Sequence, residues 1–133
     1  MSIRYRISKR SNTIGNNKKP QFIMQAASTG KVDLNQISKE ISRECSLSVI
    51  DVKFVLHALG DKLQFHLEDG KSVDIENIGK FKVGFKCKAE DDAKDLNPKK
   101  SIQKYHLNFQ PSIILKRWLK NGITTYKEGS RSL

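Results

Sequence analysis

The chain has 133 residues and a formal net charge of +11, long enough for one domain with an extension and for a core that needs no disulfide staples. No run approaches the roughly 18 apolar residues of a membrane span, and the N-terminus has charges but no apolar h-region, so neither a membrane segment nor a secretory signal is expected. The excess of 25 Lys and Arg over 14 Asp and Glu points to a polyanionic partner, and the two cysteines fit reduced core residues in an intracellular compartment rather than a disulfide framework.

The N-terminal IRYRISK (residues 3–9) alternates strictly, with Ile3, Tyr5 and Ile7 against Arg4, Arg6 and Ser8, and reads as a strand. A polar loop (11–19) leads to a second strand, QFIMQAAS (21–28), so the pair is expected to form a loose hairpin. Residues 32–45 place Leu34, Ile37, Ile41 and Cys45 at helical spacing, with Asp33 as a candidate N-cap. Ser48 and Asp51 have capping-box spacing at the start of a second helix that reaches residue 68. That helix is apolar over most of its circumference, which predicts burial on more than one side and therefore a second copy of the chain against it. Glu68-Asp69-Gly70 ends it.

A short strand, SVDIEN (72–77), precedes GKFKVGFKCKAE (79–90), in which Phe81, Val83, Phe85 and Cys87 alternate with Lys80, Lys82, Lys86 and Lys88. Residues 90–100 read as a loop. IQKYHLNFQ (102–110) alternates again, with Tyr105, Leu107 and Phe109 on the core parity. Pro111-Ser112 opens a last helix closed by Asn121-Gly122, and 122–133 reads as a flexible tail. The fold class is therefore α+β, with an antiparallel sheet bearing on helices.

The charge is segregated. Residues 1–32 carry +7, residues 33–70 carry −3 and residues 71–133 carry +7, the pattern of a scaffold with a directed basic surface. Catalytic constellations are not evident. His57, His66 and His106 are scattered, no metal-ligand spacing occurs, and neither a nucleophile elbow nor a phosphate-binding Gly-rich loop is found. No enzyme activity, cofactor, metal or small-molecule substrate is expected. Glu90, Asp91, Asp92 and Asp95 lack EF-hand spacing and read as a solvated loop. What remains is a basic ribbon: Lys82, Lys86 and Lys88 on one strand, Lys104 on the next, and Lys99 and Lys100 between. A β-ribbon with such a face can enter a groove of duplex DNA.

The stretch from Val32 to Val83, with its two helices, its LSxxD junction and its Ile78-Gly79-Lys80-Phe81 step into the sheet, resembles the HU/IHF class of bacterial histone-like DNA-binding proteins. The closing helix Pro111–Lys120 resembles that family's last helix, and RYRISKR together with FQPSIILK resembles its extended Bacteroidetes-type subgroup. The resemblance covers about residues 31–121. It implies an HU-like fold: two N-terminal helices packed under a three-stranded antiparallel sheet with a short β-arm, and a C-terminal helix. The organisation expected is an N-terminal hairpin extension at 1–30, the HU-like domain at 31–121 and the tail at 122–133.

The resemblance further implies a homodimer in the bacterial cytoplasm, on the nucleoid, whose arms reach around duplex DNA. Lys86 and Lys88 fall at its arm-base cationic positions, where Gly84 does not keep a cation. Ser112, Lys116 and Arg117 fall at the start of the last helix, near the saddle of the resembled family, and join the lysines as expected DNA-binding residues. The arm is shorter than the family's and carries Glu90-Asp91-Asp92, so Pro98 is expected on the returning side as a loop former, and binding is expected to rest on phosphate contacts. The competing expectation is an HU-fold interaction module whose acidic arm no longer grips DNA, with IRYRISK adding to another sheet.

Overall fold

A computed structural model of the chain describes residues 2–11 and 19–129. The expected hairpin loop falls largely at 12–18, outside the described residues. The chain divides into two compact units, residues 1–33 with 118–133, and residues 34–117.

In the first unit, β1 (Ile3–Arg10) and β2 (Gln21–Ala26) pair antiparallel, Tyr5 opposite Ala26 and Arg10 opposite Gln21. Thr125–Lys127, expected to belong to a frayed tail, form a strand parallel to the start of β1, with Thr125 opposite Ile3 and Lys127 opposite Tyr5. The pairing occupies backbone groups that β1 would otherwise leave open: the Ile3 N–H donates to the Thr124 carbonyl (2.8 Å) and the Glu128 N–H to the Tyr5 carbonyl (2.8 Å). β1 is thus paired on one side with β2 from Tyr5 to Arg10 and on the other with Thr125–Lys127 from Ile3 to Tyr5, the two ladders overlapping at Tyr5.

The second unit holds two long helices, a three-stranded antiparallel sheet, a short helix in the arm and the start of the last helix. α1 (Leu34–Glu44) packs on α2 (Val49–Glu68). Ser48 caps α2 as the spacing predicts: its Oγ accepts from the Asp51 N–H (3.1 Å) and donates to Asp51 Oδ2 (2.8 Å). After β3 (Val73–Ile75), Gly79 turns the chain into β4 (Gly79–Cys87), which pairs with β5 (Ile102–Pro111). Gly79 has φ +154°, and a Cβ there would lie 2.2 Å from the Gln110 carbonyl oxygen and 2.6 Å from the Phe109 ring, so no other residue fits. α4 (Ile113–Asn121) follows β5.

The core parity of the strands is as expected, but the core is thin. Phe81 sits opposite Phe109, Val83 opposite Leu107 and Phe85 opposite Tyr105. The first and last of these pairs bring their rings to 5.0 and 6.0 Å. Yet Phe85 and Tyr105 remain 53% and 65% exposed, and in this unit Val52 is the one hydrophobic residue fully buried. Cys45 and Cys87, expected inside, are exposed. The cause is geometric: α2 reaches the sheet at β3 and β4, leaving the rest of the apolar ribbon face uncovered within one chain.

The segment between β4 and β5 is not a plain loop. Asp92 caps a single 3-10 turn (Ala93–Asp95), its Oδ1 accepting from the Lys94 N–H (3.2 Å). Asn97 caps the short helix α3 (Pro98–Ser101), accepting from the Lys99 N–H at 3.0 Å, with Pro98 at the first helical position. Proline is preorganised for that position. The Lys88 N–H donates to the Ser101 carbonyl (2.8 Å), closing the end of the arm.

Candidate nucleic-acid interface

The ladder between β4 and β5 sorts the ribbon into two faces. Opposite to the aromatic face, Lys80 pairs with Gln110, Lys82 with Asn108, Gly84 with His106 and Lys86 with Lys104. Directly opposed residues share a face, so three β4 lysines and Lys104 stand together, with amide side chains and an imidazole between them and Asp74 of β3 opposite Lys80 at the base. Lys80 belongs to this face although the sequence-based set of contact residues omitted it; the alternation already placed it there.

Two features set this face apart. Lys86 and Lys104 stand directly across the ladder, an arrangement that costs roughly 0.2–1 kcal/mol unless a counter-charge lies against it. No carboxylate forms an ion pair with either residue: among the described residues the salt bridges are Arg6–Glu128 and Lys71–Asp69. A Cβ on Gly84 would come within 2.8 Å of His106 Nε2, so any larger residue there would have to push the imidazole aside. The position where the resembled family places a cation is occupied instead by the imidazole from across the ladder. Near the ribbon's base, Ser72, Lys80, Lys82, Asn108 and Gln110 line an open groove of about 620 Å³.

The remaining candidates divide. Lys88 lies one residue past β4, next to the bulge between Lys86 and Cys87. Lys99 and Lys100 sit on α3 at the arm's closed end and are exposed. Lys116 and Arg117 are exposed on α4. Ser112 is different: it is buried, its Oγ donates to the Asn77 carbonyl (3.2 Å) and accepts from the Leu115 N–H (3.2 Å), and its own N–H donates to the Ile78 carbonyl (3.0 Å). It joins the start of α4 to the turn before β4, so its hydroxyl is committed to the fold.

Among the described residues no group of three or more His, Cys, Asp or Glu converges as a metal site, and no helix is long and apolar enough to cross a membrane.

Residues 1–127 match the model of a family described as "HU domain fused to wHTH, Ig, or Glycine-rich motif". A crystal structure of a candidate bacterial DNA-binding protein from Bacteroides vulgatus ATCC 8482 superposes with a TM-score of 0.65 over 99% of this chain, at 11% sequence identity. At that identity the likeness is one of fold. The chain spans 51% of that protein's length. No curated protein matches the chain.

Proposed function

The chain belongs to the family of HU domains fused to winged-helix, Ig or glycine-rich motifs, and from that premise we propose that it binds duplex DNA as a non-catalytic, sequence-tolerant architectural homodimer of the bacterial nucleoid. The N-terminal hairpin and the fold likeness to a Bacteroides protein favour the extended Bacteroidetes-type branch. The observation that carries the reading is the opposed pair Lys86 and Lys104 on a face shared with Lys80 and Lys82. Four cations stand on one side of the sheet, Lys80 with Asp74 opposite it on β3 and Lys82, Lys86 and Lys104 with no carboxylate across the ladder, and they offer phosphates a set of point charges and no base-edge code. Lys88, Lys99, Lys100, Lys116 and Arg117 extend the same charge towards the arm's end and the last helix, while Ser112 contributes by fixing where that helix starts.

The exposed apolar surface supports a second copy. On α2, Ile50 and Phe54 are 79% and 73% exposed. An apolar hollow of about 520 Å³ lies open between α2 and the ribbon, lined by Leu63, Leu67, Val83, Tyr105 and Leu107. Burying four such large side chains contributes on the order of 6–12 kcal/mol before association costs. A two-fold contact, α2 and ribbon against their own copies, supplies the cover.

Titration of duplex DNA at two salt concentrations tests the reading. Affinity should fall with a log–log slope near −0.9 per phosphate neutralised. Changing Lys82, Lys86 and Lys88 together to Glu should remove most of it while sedimentation and circular dichroism stay those of the folded dimer. Salt-independent affinity, or none at low salt, rejects DNA as the partner. A monomeric sedimentation profile at micromolar concentration rejects the dimer.

A further inference from the structure

The net charge does not lie mainly where the ribbon is. Residues 34–117 hold 15 Lys and Arg against 12 Asp and Glu, for +3, whereas the 49 residues 1–33 and 118–133 hold ten against two, for +8. The smaller unit therefore has the larger long-range pull on a polyanion.

Its sheet also gathers the arginines on one face. Tyr5 with Ala26, Ile7 with Met24 and Lys9 with Phe22 put most of the apolar side chains of β1 and β2 on one face, together with Lys9 and with Lys127 opposite Tyr5. The ladder puts Arg6 with Gln25, Ser8 with Ile23 and Arg10 with Gln21 on the other, and Arg4 shares that face. Arginine suits phosphate because its planar fork donates two parallel hydrogen bonds to two oxygens. The neighbouring Gln21 and Gln25 add neutral donors, as phosphate-binding surfaces do.

The three arginines differ in availability. Arg4 is half-buried and its guanidinium donates to the Ser28 carbonyl, so it holds the chain that leaves β2. Arg6 pairs with Glu128 at 3.4 Å, with both side chains about half exposed (54% and 42%). Exposed pairs of that kind are worth little and exchange readily. Arg10 is exposed.

We propose that the Arg6–Arg10 face of the N-terminal sheet is a second phosphate-binding surface for duplex DNA, independent of the lysine ribbon. The inference rests on the reading of the preceding subsection only for the identity of the polyanion. Glu128 acts on it as a local competitor, occupying Arg6 until a phosphate displaces it.

The test uses the full chain and a duplex titrated over a range of salt. Arg6→Gln with Arg10→Gln should lower the magnitude of the log–log slope by about 2, one phosphate for each arginine, and weaken binding roughly tenfold at moderate salt. Arg6→Lys with Arg10→Lys should restore the slope, which a merely structural role would not allow. Glu128→Gln should strengthen binding. An unchanged slope in the Gln variant, with circular dichroism and melting also unchanged, overturns the inference. If the Lys82, Lys86, Lys88 triple variant keeps a weak salt-dependent binding that the arginine pair then removes, both surfaces stand; if it keeps the parent's affinity and slope and the arginine pair removes them, the ribbon reading fails and this one stands. If the triple variant binds nothing, the second surface is rejected as independent. Equal or tighter binding of duplex RNA in the same titration overturns the assignment to DNA.

Discussion

The chain's two sheets are built on one plan and spend it differently. Both alternate, with mostly apolar residues on one face and a row of cations on the other, although in the N-terminal sheet Lys9 and Lys127 share the apolar face. In the β3–β4–β5 sheet the cations are lysines, two of them opposed across the ladder, inside a unit whose acidic residues nearly balance its basic ones. In the N-terminal sheet they are arginines, one tied to backbone and one to a carboxylate, inside a unit with little acid at all. The lesson is that the helix and turn motifs and the charge point to different places. Those motifs lie within residues 31–121, which hold the scaffold and the groove, although the family model matches residues 1–127; most of the net charge lies outside the larger unit. A binding surface inferred from either clue alone would be half of what the molecule offers.

Breaking the ribbon should have the largest effect. Gly79→Val places a Cβ against the Gln110 carbonyl and the Phe109 ring at once. Backbone cannot yield as a flexible side chain would, and the φ of +154° adds strain, so a loss of at least about 3 kcal/mol is expected. Urea unfolding should read this as a collapse of the midpoint and, with it, of lysine-dependent DNA binding. A variant within 1 kcal/mol of the parent would mean the turn is not rigid.

Next in size is Phe54→Asp. In an isolated chain this side chain is already 73% exposed and its loss should be nearly neutral. In a dimer it puts a charge into an apolar contact, at about 2–4 kcal/mol of association free energy. Sedimentation over a concentration series separates the two outcomes. Dissociation of the variant with no change in the monomer's helical content is expected.

Much of this was readable before any coordinates. Period-two alternation placed both ribbon strands and their faces, and Ser48 to Asp51 placed the start of α2, because each is a local rule acting within a few residues. What escaped was non-local or compensated. Thr125–Lys127 pair with a strand some 120 residues away, and nothing in TYK itself names a partner. Asn97-Pro98 is a cap followed by a first helical proline, a signal that the surrounding acidic residues concealed by making the segment read as solvent loop. Cys45 and Cys87 sit at apolar parity yet are exposed, because parity fixes a face and not what covers it. Ser112 carried a binding label from the resemblance alone, and its hydrogen bonds assign it to the fold. Ser112→Ala should accordingly cost about 1 kcal/mol in thermal or urea unfolding, through the lost cap and the orphaned Leu115 N–H. DNA affinity measured on the fully folded variant should be unchanged, and a selective loss of affinity would return Ser112 to the interface.

The smallest effect has the sharpest sign. Lys86 and Lys104 face each other across the ladder with no carboxylate in an ion pair with either, so the free protein holds two like charges at close range. Lys86→Met keeps the stem's length and its packing but removes one charge. If the pair exists to hold phosphate, the variant should gain about 0.5 kcal/mol of stability at low salt, with the gain shrinking as salt screens the repulsion, while the slope of DNA affinity on salt falls by about 0.9. The two changes have opposite signs, and that opposition is the point. A residue kept for the fold should lose stability on removal; a residue kept for solubility should leave the salt slope alone. Only a charge retained against the fold's own interest, for a partner that arrives later, should make the protein more stable and bind less when it is taken away.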